Sequence, residues 1–297
     1  MSVATIYQGH SDNVFAVAWS PDGQHIASGS RDTTVHVWHA NSGKCGYIFR
    51  GHVNCLLAVA WSPDGRRIAS GSTDGTVLMW SAFTGQDCLT YGGHTRFVRS
   101  LSWSLDGKYI ASGGEFGDNT IQVWNAITGQ LLYMRGLQYR NFAVRWSPDG
   151  SRIAAANFDG TVQVWDAAMG RTLLVYDEHG GPVYSLAWSP DGSSIVSGGH
   201  DAVVRVWDAV TRETQYIYRG HSGPVKTVGW AQHGSNIASG GDDTTIQVWN
   251  CQTGAHIFTY QGHSKWVRSL EWSPNGKYIA SAGECKVHVW RAEGNER

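Results

Sequence analysis

What most constrains this chain is a period. Trp19, Trp61, Trp103, Trp146, Trp188, Trp230 and Trp272 follow one another at intervals of 42 residues, once 43. A second series, Trp38, Trp80, Trp124, Trp165, Trp207, Trp249 and Trp290, closes each unit, so 14 of the 15 tryptophans are periodic. Gly-His pairs stand nine residues before the first series at Gly9-His10, Gly51-His52, Gly93-His94, Gly220-His221 and Gly262-His263. Glu178-His179 fills the slot once, and Gly136-Leu137 is a degraded copy. Such a period marks a repeat architecture, in which each unit needs its neighbours to bury its apolar faces. Residues 1–297 therefore read as one domain, with repeats at about 9–50, 51–92, 93–135, 136–177, 178–219, 220–261 and 262–291.

Within 9–50 the pattern is four short strands, VFAVAWS, HIASGS, TVHVWHA and CGYIFR, separated by turn chemistry. Ser20-Pro21-Asp22-Gly23 is a hairpin turn, repeated at 62–65, 147–150 and 189–192, with Asn275 for Asp at 273–276. These turns hold five of the seven prolines, which keeps proline out of strand interiors. The strands are apolar at alternate positions on both faces, so each sheet needs cover on two sides. Seven four-stranded antiparallel sheets packed face to face in a ring supply that cover and leave no large exposed edge.

The bulk numbers exclude several classes. With 24 acidic and 23 basic residues the formal net charge is -1, which gives no chain-wide basic footprint for nucleic acid. No stretch reaches the apolar length of a membrane span, and the first residues lack a secretory pattern. The five cysteines have no C-x-x-C spacing, which points to free thiols in a reducing, cytoplasmic setting. No phosphate-binding glycine loop occurs, and no cofactor or metal is expected.

Gly-His, SPDG, the Asp before the last strand, and the closing Trp165-Asp166 and Trp207-Asp208 resemble the WD40 repeat family over residues 4 to about 291. The uniformity of the repeats is most like bacterial WD40 domains. The resemblance implies a seven-bladed β-propeller whose sequence repeat is offset from the blade. Residues 3–8 are then the missing fourth strand of the seventh blade and close the ring, and the isolated domain is expected to be a monomer. The resemblance further implies a buried network of His, Ser, Asp and Trp in each regular repeat. This is His10, Ser28, Asp32 and Trp38 in the first, and His52, Ser70, Asp74 and Trp80 in the second. The fifth has His179, Ser197, Asp201 and Trp207, and the sixth His221, Ser239, Asp243 and Trp249. A Ser-His-Asp set also suggests a hydrolase, but four near-identical sets in one chain read as scaffolding. The fourth repeat has Leu137 and Ala155 in the His and Ser slots, so its network should be missing. The seventh has Glu284 where Asp is expected and is one residue shorter, which puts its network in doubt.

Aligning the repeats on one another isolates three variable slots, which the resemblance places on the top face around a central channel. The first holds Asn13, Cys55, Phe97, Arg140, Pro182, Pro224 and Trp266; the second Phe15, Leu57, Arg99, Phe142, Tyr184, Lys226 and Arg268. The third holds Arg31, Thr73, Gly117, Phe158, His200, Asp242 and Gly283. Aromatics and arginine are the residue types enriched at binding hot spots. The candidate site is therefore Phe15, Arg31, Phe97, Arg99, Glu115, Phe116, Arg140, Phe142, Phe158, Tyr184, Lys226, Trp266 and Arg268, with no catalytic residue among them. The expected function is non-catalytic binding of a protein or peptide. The alternatives are a propeller enzyme of hydrolase or lactonase type, disfavoured because the channel-side slots hold no carboxylate cluster, and a purely architectural domain of a larger signalling protein.

Overall fold

The computed structural model describes residues 3–292. It contains seven four-stranded antiparallel sheets and, among the described residues, no helix. In the first blade the strands run from the channel outward as Val14–Trp19, His25–Ser30, Val35–His39 and Cys45–Phe49. The seventh blade is assembled from both ends of the chain. Val3–Tyr7 pairs antiparallel with Val287–Arg291, Tyr7 opposite Val287 and Ile6 opposite His288. The ring closes as the offset repeat predicts.

The core lies between blades. One cluster joins Val35 and Val37 of the first blade to Leu56, Ile68 and Trp80 of the second. The closing cluster joins Tyr7, Val287 and Val289 to Val14, Trp19 and Trp38. This is why every strand is apolar on both faces: each sheet is sandwiched by two neighbours.

The two tryptophan series do different work. The first stitches inner strands together through the indole N–H, except at Trp146 and Trp230, whose indole N–H groups are buried without a partner. Trp61 donates to the Ala18 carbonyl at 3.1 Å, Trp188 to Arg145 at 3.2 Å and Trp272 to Gly229 at 3.1 Å. The second is fully buried, and an aromatic ring from the preceding blade's outer strand lies flat on it. Tyr7 stacks on Trp38 at 4.6 Å, Phe49 on Trp80 at 4.2 Å and Tyr260 on Trp290 at 4.6 Å. Only Trp165 of the fourth blade lacks this ring. Exposed Met134 holds the equivalent position, and the Arg135 guanidinium lies 5.3 Å from the Trp165 centroid instead.

The stacked rings explain the glycine of Gly-His. A Cβ at Gly262 would lie 2.2 Å from the Tyr260 hydroxyl, and one at Gly93 would lie 2.4 Å from that of Tyr91. The hydroxyls in turn find partners two residues before the closing tryptophan. Tyr7 contacts His36 Nδ1 at 2.6 Å, Tyr91 donates to Gln122 at 2.6 Å and Tyr218 to Gln247 at 2.5 Å. Where the ring is Phe49, with no hydroxyl, the facing residue is Leu78. Where Glu178 replaces the glycine, the Tyr176 hydroxyl turns to Thr214 Oγ1 at 2.8 Å. Gly262→Ala should therefore destabilise by about 1–3 kcal/mol, as overpacking does. Gly136→Ala, with nothing within 4 Å, should cost far less. Urea denaturation of the two variants checks this; equal losses would remove the steric explanation.

Candidate functional site

The second variable slot is the bulge of the inner strand in the first six blades; in the seventh, Arg268 stands just before an inner strand without a bulge. In the first blade Val14 pairs with Ser30 and Ala16 with Gly29, leaving Phe15 outside the ladder. The same shift leaves Leu57, Arg99, Phe142, Tyr184 and Lys226 unpaired. A bulge re-aims its side chain, and here it turns one residue per blade toward the channel. These residues, with Arg268, line a central cavity of about 650 Å³ that runs down to the SPDG prolines Pro21, Pro63, Pro148 and Pro274. Deeper in the channel are two charges that the variable slots did not reveal, Arg145 and Glu271. Glu271 accepts the Trp19 N–H at 2.5 Å, and burial pushes its carboxyl up to about 7 despite that bond and Arg145. Both stand immediately before a tryptophan of the first series, where the other repeats carry Ala, Ser or Gly; that contrast was the available signal.

On the third and fourth blades the expected residues come together. Phe97 and Phe116 meet edge to face at 5.1 Å. The Arg140 guanidinium sits 4.6 Å from the Phe116 centroid and 4.8 Å from that of Phe158, within cation–π range. Phe142 bridges Phe158 at 6.2 Å and Tyr184 at 5.1 Å. The third repeat carries two extra residues in SGGEFGD, Trp103 and Trp124 being 21 apart where most repeats have 19, and the loop around Glu115, Phe116 and Gly117 accommodates them, with Phe116 at a left-handed φ of 56°. One placement differs from expectation. Glu115 is buried, 6% exposed, beneath the face rather than on it, because its side chain lies 3.8 Å from Arg99. Burial pushes its carboxyl above the ordinary range, opposed by Arg99 and Arg140.

Trp266 is half exposed, and Arg268 packs beside it at 5.5 Å. The pair is not confined to the seventh blade: Arg268 also lies 4.7 Å from the ring of Phe15 on the first. Lys226 sits 3.7 Å from the Tyr184 ring centroid and 3.4 Å from Asp242. Arg31 pairs with Asp12 at 3.7 Å on its own blade.

The buried networks form where the repeat is regular. His10 Nδ1 lies 2.8 Å from Asp32, and Nε2 lies 2.9 Å from Ser28 Oγ, which accepts the Trp38 indole N–H at 3.2 Å. That connectivity makes Nε2 the acceptor of the serine proton and Nδ1–H the donor to Asp. The second and fifth blades repeat it. So does the third, through His94, Ser112, Asp118 and Trp124, because the insertion falls before the Asp and not between Asp and strand. The sixth keeps His221–Asp243 and His221–Ser239, both 2.8 Å, but the Trp249 indole N–H has no partner, contrary to its assigned role. The indole-to-serine bond reaches 3.4 Å in the second blade, so it is the loosest link of the set. The fourth network is missing, Leu137 packing instead into the cluster around Ile153 and Trp165. In the seventh, His263 reaches Ser281 at 2.8 Å, but its Nδ1 is unpartnered, because Glu284 bonds Ser264. The connectivity resembles a catalytic triad, yet Ser28, Ser70, Ser112, Ser197, Ser239 and Ser281 are all 0% exposed, so no substrate meets their hydroxyls.

Among the described residues, two groups bring possible metal-ligand atoms within 4.8 Å of one another: His10, Asp32 and His36, and His263, Glu284 and His288. In each the imidazoles are stacked, at 3.8 Å and 23° and at 4.3 Å and 16°. Their in-plane lone pairs then lie in nearly parallel planes, and no single ion sits in both. Burial and the neighbouring His288 ring push His263 down to about 3.

Comparison with known proteins decides the family. The family model "WD domain, G-beta repeat" matches residues 1–39, 43–81, 85–125, 142–166, 170–208, 212–250 and 254–291. The chain belongs to the WD40 family. Among curated proteins, this WD40 chain is 44% identical over 43 residues to Protein HIRA of Zea mays, covering 14% of the chain and 4% of that protein. It is 35% identical over 69 residues to the Periodic tryptophan protein 2 homolog of Dictyostelium discoideum, covering 23% and 7%. It is 50% identical over 40 residues to the Transcriptional corepressor LEUNIG_HOMOLOG of Arabidopsis thaliana, covering 14% and 5%. All three are eukaryotic, and each match spans less than a tenth of the relative's length.

Proposed function

We propose that this WD40 propeller is a non-catalytic scaffold that binds a protein or peptide through its top face. The observation that carries the reading is the continuous run of Phe97, Phe116, Arg140, Phe158, Phe142 and Tyr184 across three blades. Rigid aromatics interleaved with guanidinium groups are the usual composition of interface hot spots, and folding alone gives little reason to gather them at a channel mouth. The sealed serines support a role without hydrolysis. The five free cysteines support a reducing compartment such as the cytoplasm.

Pull-down with the wild-type chain against Arg99→Ala/Phe142→Ala tests it. Capture should fall by at least about tenfold, since a hot-spot aromatic is worth about 2 kcal/mol, while the melting curve stays cooperative. Undiminished capture by the double variant, with loss on substituting Asp64 and Asp149 of the SPDG turns, would place binding on the opposite face.

A further inference from the structure

Three cations that belong to different blades share the channel mouth. Arg99, Lys226 and Arg268 all occupy the bulge position or its equivalent, and all line the central cavity. They are close enough to act on one another: burial lowers the proton affinity of Lys226 and of Arg268, and Arg99 lowers both further. Their compensation is uneven. Arg99 has Glu115 at 3.8 Å and Lys226 has Asp242 at 3.4 Å. Arg268 has no carboxylate within ion-pair distance among the described residues, Asp242 acting on it only from farther off, and its Nε is buried without a hydrogen-bond partner. Its guanidinium is instead held in place by the rings of Phe15 and Trp266. A planar donor group, immobilised by aromatic packing, with an unused buried N–H and two more cations nearby, is arranged to receive an anion. An anion seated there relieves the like-charge repulsion among the three cations.

We propose that the channel mouth is an anion seat, formed by Arg268, Lys226 and Arg99, that takes the carboxylate of an acidic side chain of a bound peptide. The proposal rests on the top-face reading above and names the ligand chemistry of that face. A peptide fits better than a nucleic acid. The seat belongs to one cavity of about 650 Å³ whose wall also carries Phe15, Phe142 and Tyr184. The chain as a whole carries a net charge of -1, and that is no track for a run of phosphates.

The test is selection of displayed random peptides on the intact chain, followed by affinity measurement of the selected peptides. Aspartate or glutamate should be enriched over the unselected library. Replacing that acid with its amide should weaken binding about tenfold or more, as for a charge-assisted bond. Arg268→Gln and Lys226→Gln, checked for native circular dichroism, should do the same; Lys108→Gln on the opposite face should not. The amide-substituted peptide keeps the test valid if a protein variant misfolds. Peptides lost on Phe142→Ala but showing no acid enrichment, or binding Arg268→Gln as tightly as wild type, would overturn the anion seat and leave the top-face reading intact. Peptides indifferent to Phe142→Ala as well would overturn both. Tighter binding of an oligouridylate than of any selected peptide would replace the peptide with nucleic acid and also defeat the proposal.

Discussion

Removing residues 1–8 should abolish cooperative folding, with the truncated chain aggregating as it is warmed. Val3–Tyr7 makes the only outer strand of the seventh blade, so its loss leaves Val287–Arg291 as an unpaired edge, a template for intermolecular pairing. It also removes Tyr7 from the interface with the first blade. There the ring lies 4.6 Å from Trp38 at an interplanar angle of 3°, and its hydroxyl meets His36 Nδ1 at 2.6 Å. Tyr7→Ala isolates the second effect. Deleting a buried aromatic ring costs about 3–5 kcal/mol. At about 2–4 °C per kcal/mol for a chain of this size, the melting temperature should fall by about 6–20 °C. Ile6→Ala, an exposed neighbour on the same strand, should barely move it. Scanning calorimetry of the three proteins decides the matter: an unchanged melting temperature in the truncated chain rules out ring closure by the first strand.

His221→Ala should destabilise the chain by roughly 1–3 kcal/mol and flatten its acid response. The substitution removes a 2.8 Å partner from both Asp243 and Ser239; Asp243 keeps its bonds from Thr245, but the Ser239 hydroxyl is left unpaired, and an unpaired buried polar group carries that cost. The acid response follows from the carboxylate. Burial alone would raise the Asp243 carboxyl, but bonds from His221 and Thr245 outweigh it and hold the group at about 2, below the ordinary value of about 4. A carboxyl depressed in the folded state contributes stability at pH above about 4 that is lost as pH falls through about 2. Asp32, Asp118 and Asp201 are depressed for the same reason and add to the loss in the same direction. Urea denaturation between pH 5 and pH 2 should therefore show the wild type losing more stability than His221→Ala. Leu137→Ala, which removes packing and no polar partner, should keep the full acid dependence. Identical acid dependence in all three would show that His221 does not set the Asp243 carboxyl.

The architecture was legible because repetition makes a sequence its own alignment. The 42-residue spacing, SPDG and the apolar strands pointed to seven double-covered sheets, and the offset between repeat and blade that the WD40 resemblance implies placed the first strand in the last sheet. The regular networks came from the same resemblance, carried onto the matching residues of each repeat. Four things did not follow. Sequence spacing cannot say which ring lies on which, so the pairing of Tyr91 with Gln122 and of Phe49 with Leu78, each across two blades, emerged only when adjacent blades were packed together. The third network survived its insertion because a loop could absorb two residues without moving Asp118, a matter of backbone geometry. The Trp249 indole is unpaired although His221, Ser239 and Asp243 are all in place, which no residue identity records. The channel mouth is the clearest case. Its seven positions were visible as variable, but their convergence depends on a bulge in the inner strands, and the nearness of Arg99 to Lys226 and Arg268 depends on the ring having closed. Chemistry that repeats within each unit is written in the sequence; chemistry made by residues of different units exists only once tertiary structure sets the distance between them.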